Sequence, residues 1–430
     1  MVPKRKNIPN KIRTLILVSN LLVVLSAMGQ NVTTLTLDSC YKLSRDQYPM
    51  TRQMGLIEKT RNYSIENASK GYLPQFSLVG QATYQSAVTS IPFEIPHITI
   101  PSYSKDQYKI YAEADQTIYD AGMIQNQKEA DNVDAIVQKQ NLEVTLFALK
   151  DRINQIYFGI LLIDEQLKQN DIYQADIKNS MDQLQAQVNN GVALRSGLDE
   201  LKAELLQQEQ NRIQFQASRK AYLDMMSLFI HQNLSENTNL VKPEPAIIQD
   251  EIKRPELTYY DYQKRSYDIQ DKMLTSNNLP KLSFFVQGGY GRPGLNMLSN
   301  DFAFYYYGGL RLNWQFGGLY TTKNSRELLN INRQTTDLQK ETFLYNTSIT
   351  LKQQNGQIAQ LQQMIVKDDE IILTRAEVTQ DAKQKMENGT LTVHDYVSEL
   401  DAENQSRVNK LLHEVQLLNA QYNFKNTTGN

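Results

Sequence analysis

Residues Gly71–Gln85 read GYLPQFSLVGQATYQ, and residues Asn277–Gly291 read NNLPKLSFFVQGGYG. Aligned on Leu73-Pro74 and Leu279-Pro280, they also match Ser77 with Ser283, Gln81 with Gln287 and Tyr84 with Tyr290, all at an offset of 206. A second correspondence sets IYDAGMI (Ile118–Ile124) against WQFGGLY (Trp314–Tyr320); each closes an extended stretch and opens a helical one. A third sets VNNGVALRSGLDEL (Val188–Leu201) against MENGTLTVHDYVSEL (Met386–Leu400), with Asn190-Gly191 matching Asn388-Gly389 at an offset of 198. Three landmarks kept in one order at nearly constant offset indicate an internal duplication.

The paired quotations are strand entries. Proline ends helices and pushes its predecessor to extended geometry, so Leu-Pro marks a change from helix to strand. From there the pattern alternates. Phe76, Leu78, Gly80, Ala82 and Tyr84 oppose Gln75, Ser77, Val79, Gln81 and Thr83, and Phe302 through Phe316 alternates in the same way. One face of each strand is apolar and the other largely polar, which suits either a half-buried sheet or a transmembrane β-barrel. Four strands are too few to close a barrel, so a membrane-spanning version requires several chains to share one.

Between strands the period changes. From Met123 to Asn189 there is no proline, and Leu142, Leu146, Leu149, Ile153, Ile156, Ile160, Ile163 and Leu167 step by four and three; Asn170 and Gln174 interrupt the seam before Ile177, Met181, Leu184 and Val188 resume it. That is a coiled-coil seam on a rod of about 100 Å. The second half repeats it with Leu344, Leu351, Ile358, Leu361 and Ile365. The predicted architecture is mainly α with a β-barrel portion. A first repeat spans 30–240, with strands about 75–86 and 106–119, a long helix over 120–189 and a returning helix over 198–232. A connecting segment follows over 241–255, with Pro243, Pro245 and Pro255. The second repeat spans 256–424, with strands about 281–291 and 301–316, a long helix over 319–387 and a returning helix over 394–424. A flexible tail is expected over 425–430. Because each rod is about twice the length of its returning helix, the helix preceding each strand is expected to stack above the returning one and cover the remainder.

Bulk properties narrow the function. The formal net charge of −2 gives no basic footprint for nucleic acid. Lys4-Arg5-Lys6, Lys11 and Arg13 precede the apolar run Leu15–Ala27, the layout of a secretory signal peptide ending near Gly29. Cys40 stands well past that point, so it is not placed to carry a lipid, and it reads as a small buried residue on a helix. The histidines His97, His231, His394 and His413 are scattered without metal-ligand spacing. The glycine-rich stretch Gly288–Gly294 lacks the Gly-Lys-Ser/Thr of a phosphate loop, and there is no nucleophile elbow. No catalytic residue, metal or cofactor is expected.

With these features assembled, the chain resembles the TolC-type outer-membrane efflux proteins along almost its whole length. The carriers are LTLDSCYKLSRDQYP (Leu35–Pro49), the two Leu-Pro strand entries, the exits YDAG and FGG, and the turns NNGVALRSGLDEL and ENGTLTVHDYVSELDAE. The resemblance implies a homotrimer whose twelve strands close one barrel in the outer-membrane lipid and whose helical columns continue as a tunnel through the periplasm. It also implies export of small molecules, coupled to a periplasmic adaptor and an inner-membrane pump. The tip that adaptor hairpins touch in that family falls here on Gly191, Val192, Ala193, Leu194, Gly389, Thr390 and Leu391. The acidic constriction falls on Asp395 and on Ser398, which departs from the family's second aspartate. The family's salt-bridged latch falls on Leu391 and Gly197 and is therefore absent; Arg195 and His394 are the nearby residues able to make a different one. The alternatives are an exit duct for type I protein secretion and a non-channel periplasmic coiled-coil protein.

Overall fold

The computed structural model describes residues 34–88 and 104–430. The expected signal peptide over 1–29, and Pro92, Pro96, His97 and Pro101, lie outside the described residues. The chain runs β1 (Thr34–Leu35), α1 (Leu37–Gln47), α2 (Gln53–Ser69), β2 (Gln75–Tyr84), β3 (Asp106–Tyr119), α3 (Met123–Phe147), α4 (Leu149–Asn189), α5 (Arg195–Ile230) and β4 (Asn239–Leu240). It continues through α6 (Pro255–Asn277), β5 (Lys281–Arg292), β6 (Ala303–Asn313), α7 (Leu319–Glu387) and α8 (Val393–Thr428).

Strands β2, β3, β5 and β6 form one antiparallel sheet in that order, so the last strand of the first half pairs with the first strand of the second. At the first strand entry Leu73 is extended, as a residue before proline must be. At the exit, Asp120 accounts for the YDAG motif: its carboxylate accepts from the N–H groups of Gly122 (2.9 Å) and Ile124 (2.6 Å), capping α3 directly after the strand.

The helices hang from the sheet as columns. The α3 helix packs on α2 and α6, α4 on α5 and α8, and α7 on α6 above and α8 below. The helix before each strand thus sits above the returning helix against one rod. The second rod, α7, is a single helix of 69 residues. The first departs from expectation: the rod expected over 120–189 breaks at Ala148, whose N–H reaches the Val144 carbonyl only at 3.4 Å. Its packing partner changes there, since Leu142, Leu146 and Leu149 meet Ile57 of α2, Tyr48 and Met54 from above and Phe229 of α5 from below. The first covering helix is also divided, because Pro49 opens a short 3-10 turn over Pro49–Arg52 between α1 and α2.

The two polar interruptions of the seam form a layer of their own. Asn170 donates to Gln208 Oε1 at 2.9 Å and Gln174 donates to Asn170 Oδ1 at 2.7 Å, all three residues being buried. A sheared pairing of α4 with α5 would leave these amides unpartnered, so they fix the register.

A belt at mid-height ties the columns together. β1 pairs with β4 in parallel, and the Tyr157 hydroxyl shares its proton between the carbonyls of Leu35 (2.9 Å) and Val241 (2.7 Å). Cys40 is fully buried on α1, and burial pushes its thiol up to about 12. The tail expected to be flexible over 425–430 belongs to this belt. α8 runs to Thr428, whose carbonyl accepts from Lys253 N–H at 2.6 Å, Arg254 reaches Asn426 O, and Asn426 and Thr428 are buried. Polar composition there reflects pairing with the connecting segment.

Arg219 closes the belt, donating through Nε to Asp164 and through its two terminal nitrogens to the carbonyls of Glu236 (2.6 Å) and Thr238 (2.8 Å). Its side chain and that of Asp164 are 14% and 19% exposed, so removing the guanidinium leaves a carboxylate and two carbonyls poorly solvated. Arg219→Met is expected to favour local opening of 231–242 by about 2 kcal/mol, roughly a thirtyfold rise in the open population. Cleavage after Glu236 by a glutamate-specific protease in folded protein measures it, and an unchanged cleavage rate contradicts this role for Arg219.

Candidate functional site

Two regions carry the residues that the sequence singles out. In the sheet, the register brings every apolar alternation onto one face. Phe76, Ala114 and Val286 share a row with Gly308; Leu78, Ala112 and Gly288 share one with Tyr306; Ile110 and Tyr290 share one with Phe304. This face has no cover: Phe76 is 82% exposed, Leu78 72%, Phe304 87% and Tyr306 82%. Trp314 and Phe316 lie exposed at the helical end of the sheet, and Tyr84 and Tyr290 at the loop end. The other face holds a connected polar group, in which Arg311 pairs with Glu113 (2.8 Å) and Asp115 (3.1 Å) and Ser283 donates to Asp115 (3.0 Å). Among the described residues no helix packs along either face, and the outer edges of β2 and β6 have no partner strand.

The second region is the far end of the helical columns. Gly191 and Gly389 both adopt left-handed backbone, φ 74° and 71°. Matching hydrogen bonds close the two turns, from Val192 N–H to Gln187 O (3.0 Å) and from Thr390 N–H to Lys385 O (2.9 Å). Both are helix C-caps of the kind that favours glycine. Past the glycines the turns differ. Val192 and Leu194 are exposed, and Leu194 provides no side-chain cap. Thr392 caps α8, accepting from Asp395 N–H (3.1 Å) and donating to Asp395 Oδ2 (2.7 Å). Asp395 therefore sits exposed in the first turn of a helix, where the dipole favours a carboxylate. Ser398, one turn on, is also exposed, Thr390 is exposed, and Ala193 and Leu391 are half-buried.

The tip of each protomer has its own core, formed by Tyr173, Ile177, Leu184, Leu201, Ala382, Met386, Tyr396 and Leu400. It joins the hairpin α4–α5 to the hairpin α7–α8. Where the resemblance places an acidic latch residue, Gly197 is buried, and a Cβ there would stand 2.6 Å from Val393 Cγ2. The two hairpins meet there through a glycine notch filled by a valine. His394 Nδ1 lies 2.7 Å from Glu200 Oε1 across the same seam, so the histidine, and not Arg195, makes the inter-hairpin ion pair. Sequence reasoning missed Tyr396, whose hydroxyl lies 2.9 Å from Ser180 Oγ.

Carboxylates crowd the seam as well. Burial, then Glu204, raise the Asp401 carboxyl; burial, then Glu403, raise that of Asp176, with Lys383 and Arg407 opposing. The hydrogen bond to Glu200 raises His394, with Glu200 and Asp395 adding charge. Among the described residues there is no group of three His, Cys, Asp or Glu side chains placed to hold a metal.

No protein-family model matches the chain, and no curated protein matches it. Solved structures do. The fold superposes on CusC, a protein described as forming a transmembrane channel, with a TM-score of 0.67 at 11% identity over 91% of each chain. It superposes on the outer-membrane protein VceC of Vibrio cholerae with a TM-score of 0.62 at 13% identity over 91% of this chain and 96% of that one. For the Neisseria gonorrhoeae MtrE outer-membrane channel the values are 0.62, 11%, 91% and 88%. The chain has the fold of these outer-membrane proteins, as its resemblance to TolC-type proteins implies.

The titrating groups of the seam act in one direction. A carboxylate whose folded pKa is raised favours the fold at low pH and loses that contribution as pH rises through the raised value; a raised histidine likewise contributes below its ordinary value and loses it as pH rises through the folded one. The lower columns are thus expected to tighten as pH falls through the raised values. Asp401→Asn, which keeps the neutral form at every pH, should raise the thermal midpoint more at pH 8, where the aspartate is ionised, than at pH 3, below the ordinary carboxylate range. An equal effect at both would refute the assignment.

Proposed function

We propose that this chain is one subunit of a trimeric TolC-type channel of the outer membrane, reaching into the periplasm and conducting small molecules outward. The observation that carries the reading is the sheet: four strands with an uncovered apolar face, both edges open, continuous with helical columns. Unpaired strand edges cannot face hydrocarbon, so the sheet spans a bilayer only by joining copies of itself. Eight strands, from two copies, leave an interior that side chains fill, and the inward face here carries tyrosines, a phenylalanine and an arginine; three copies give twelve strands and leave a bore.

The helices support the same assembly. Leu338, Tyr345, Val366 and Leu373 of α7 recur at multiples of seven and are each at least 59% exposed, while Leu206 and Ile213 of α5 repeat the spacing. Such a seam is covered by helices of neighbouring subunits. Twelve columns about 10 Å apart enclose a tunnel of about 25–30 Å inner diameter. Among the described residues no helix is long and apolar enough to cross a membrane, so the strands are the membrane-crossing elements of this reading.

The tip residues Gly191, Val192, Ala193, Leu194, Gly389, Thr390 and Leu391 form the surface offered to a periplasmic adaptor, through which an inner-membrane pump loads the tunnel. Exposed Val192 and Leu194 give that surface apolar contact area. Asp395, with Ser398 one turn on, lines the constriction; repeated by three-fold symmetry, its carboxylates favour cations.

The purified trimer is expected to conduct in planar bilayers, and Asp395→Asn to reduce its cation preference while keeping the Thr392 cap. In cells, Val192→Cys or Thr390→Cys should crosslink to an adaptor. A mature chain found as a soluble, detergent-independent monomer would overturn the channel reading; conduction with unchanged selectivity in the variant would overturn the constriction alone.

A further inference from the structure

The polar face of the sheet holds more aromatic surface than a water-filled bore requires. Tyr111, Phe285, Tyr305 and Tyr307 all fall on the face of Glu113, Asp115 and Arg311, opposite the apolar face. The row Val79, Tyr111, Gly289, Tyr305 lies directly beside the row Ser77, Glu113, Gln287, Tyr307. Tyr305 and Tyr307 stack with centroids 6.4 Å apart, and Phe285 meets Tyr307 edge-on at 5.9 Å. Gly289 leaves bare backbone between Tyr111 and Tyr305, and a Cβ there would stand 2.6 Å from Tyr111 Cβ, so no larger residue fits that row. Among the described residues no helix packs on this face, so these rings are not the core of a second layer formed by them.

Charge accompanies the rings. Arg311 lies 4.3 Å from the Phe285 centroid and is shared between Glu113 and Asp115, which leaves this group with one net negative charge per chain. Phe285 therefore already holds a guanidinium against its face, the geometry of a cation–π contact. Lys109 stands one row further toward the loops, beyond Tyr111. A solute moving outward meets the acidic group and the rings first and Lys109 afterwards.

We infer that Tyr111, Phe285, Tyr305 and Tyr307 form an aromatic belt inside the barrel that binds planar aromatic cations in transit. The inference rests on the channel reading. Ring faces attract a planar cation by stacking and by their quadrupole, and the excess carboxylate supplies the sign preference. Repeated three times around a bore, the belt is a weak site that retains such solutes without closing the channel.

The test uses the full-length trimer in planar bilayers, with each probe added on the loop side, nearest the belt. N-methylquinolinium is the planar aromatic cation, tetraethylammonium has the charge without the ring, and naphthalene-2-sulfonate has the ring with the opposite charge. N-methylquinolinium is expected to block the current at about tenfold lower concentration than either of the others. The Tyr305→Leu/Tyr307→Leu variant should lose that margin and the Tyr305→Phe/Tyr307→Phe variant should keep it. If the double leucine variant does not assemble, Phe285→Leu alone serves the same purpose. Equal block by the three probes, or a margin untouched by leucine, overturns the belt and leaves the channel standing. A trimer that never conducts overturns the channel reading and this inference with it.

Discussion

A strand edge has nowhere to donate or accept hydrogen bonds in hydrocarbon, and the rest of the structure follows from that requirement. Each unsatisfied backbone group costs several kcal/mol in lipid, so a sheet with a bare apolar face cannot enter a bilayer while its β2 and β6 edges are open. The same open edges would make the isolated sheet prone to pairing with any strand in water. In the proposed channel, pairing of β2 with β6 of another copy answers both demands. Oligomerisation is then a condition for the sheet to exist where its face demands, and the exposed heptad seam on α7 extends the same dependence down the helices.

Long columns bring a problem of their own, which is register. An all-apolar seam of this length would tolerate slippage by a heptad at little cost, because each heptad looks much like the next. The chain prevents this at separate heights. Asn170, Gln174 and Gln208 pin α4 to α5 below, and the belt of β1, β4, Tyr157 and Arg219 pins the middle, where α8 also ends on the connecting segment. Near the sheet, Asp120 fixes the start of α3 to the end of β3. Asn170, Gln174, Gln208, Tyr157 and Arg219 add uniqueness of pairing, and each has a partner.

How much of this was legible follows from what periodicity can encode. The strands, the apolar face, the rods and the stacking of covering helices were readable because burial repeats every second residue in a strand and every three to four in a helix. The break at Ala148 was not, since it arises from a change of packing partner that leaves the seam intact. The ordered end of α8 was misread because its hydrogen bonds go to backbone of a distant segment, which composition does not record. At the tip, the glycine turns were readable from the need for left-handed backbone. The pairing of His394 with Glu200, and of Tyr396 with Ser180, depends on how two hairpins meet in space.

Duplication has not made the two halves equivalent, and the differences have a direction. The first rod is broken at Ala148 and the second is continuous; the first turn has no side-chain cap, and the second is held by Thr392 and Asp395. The seam between hairpins combines a close apolar fit, Val393 against Gly197, with a single exposed ion pair and crowded carboxylates that oppose close approach when ionised. Exposed ion pairs contribute little, so the apolar notch and the tip core that includes Tyr173 and Tyr396 hold this seam and the charges modulate it. The chain thus repeats one plan twice, and at the tip the two copies differ in their caps and in the side chains that meet across the seam.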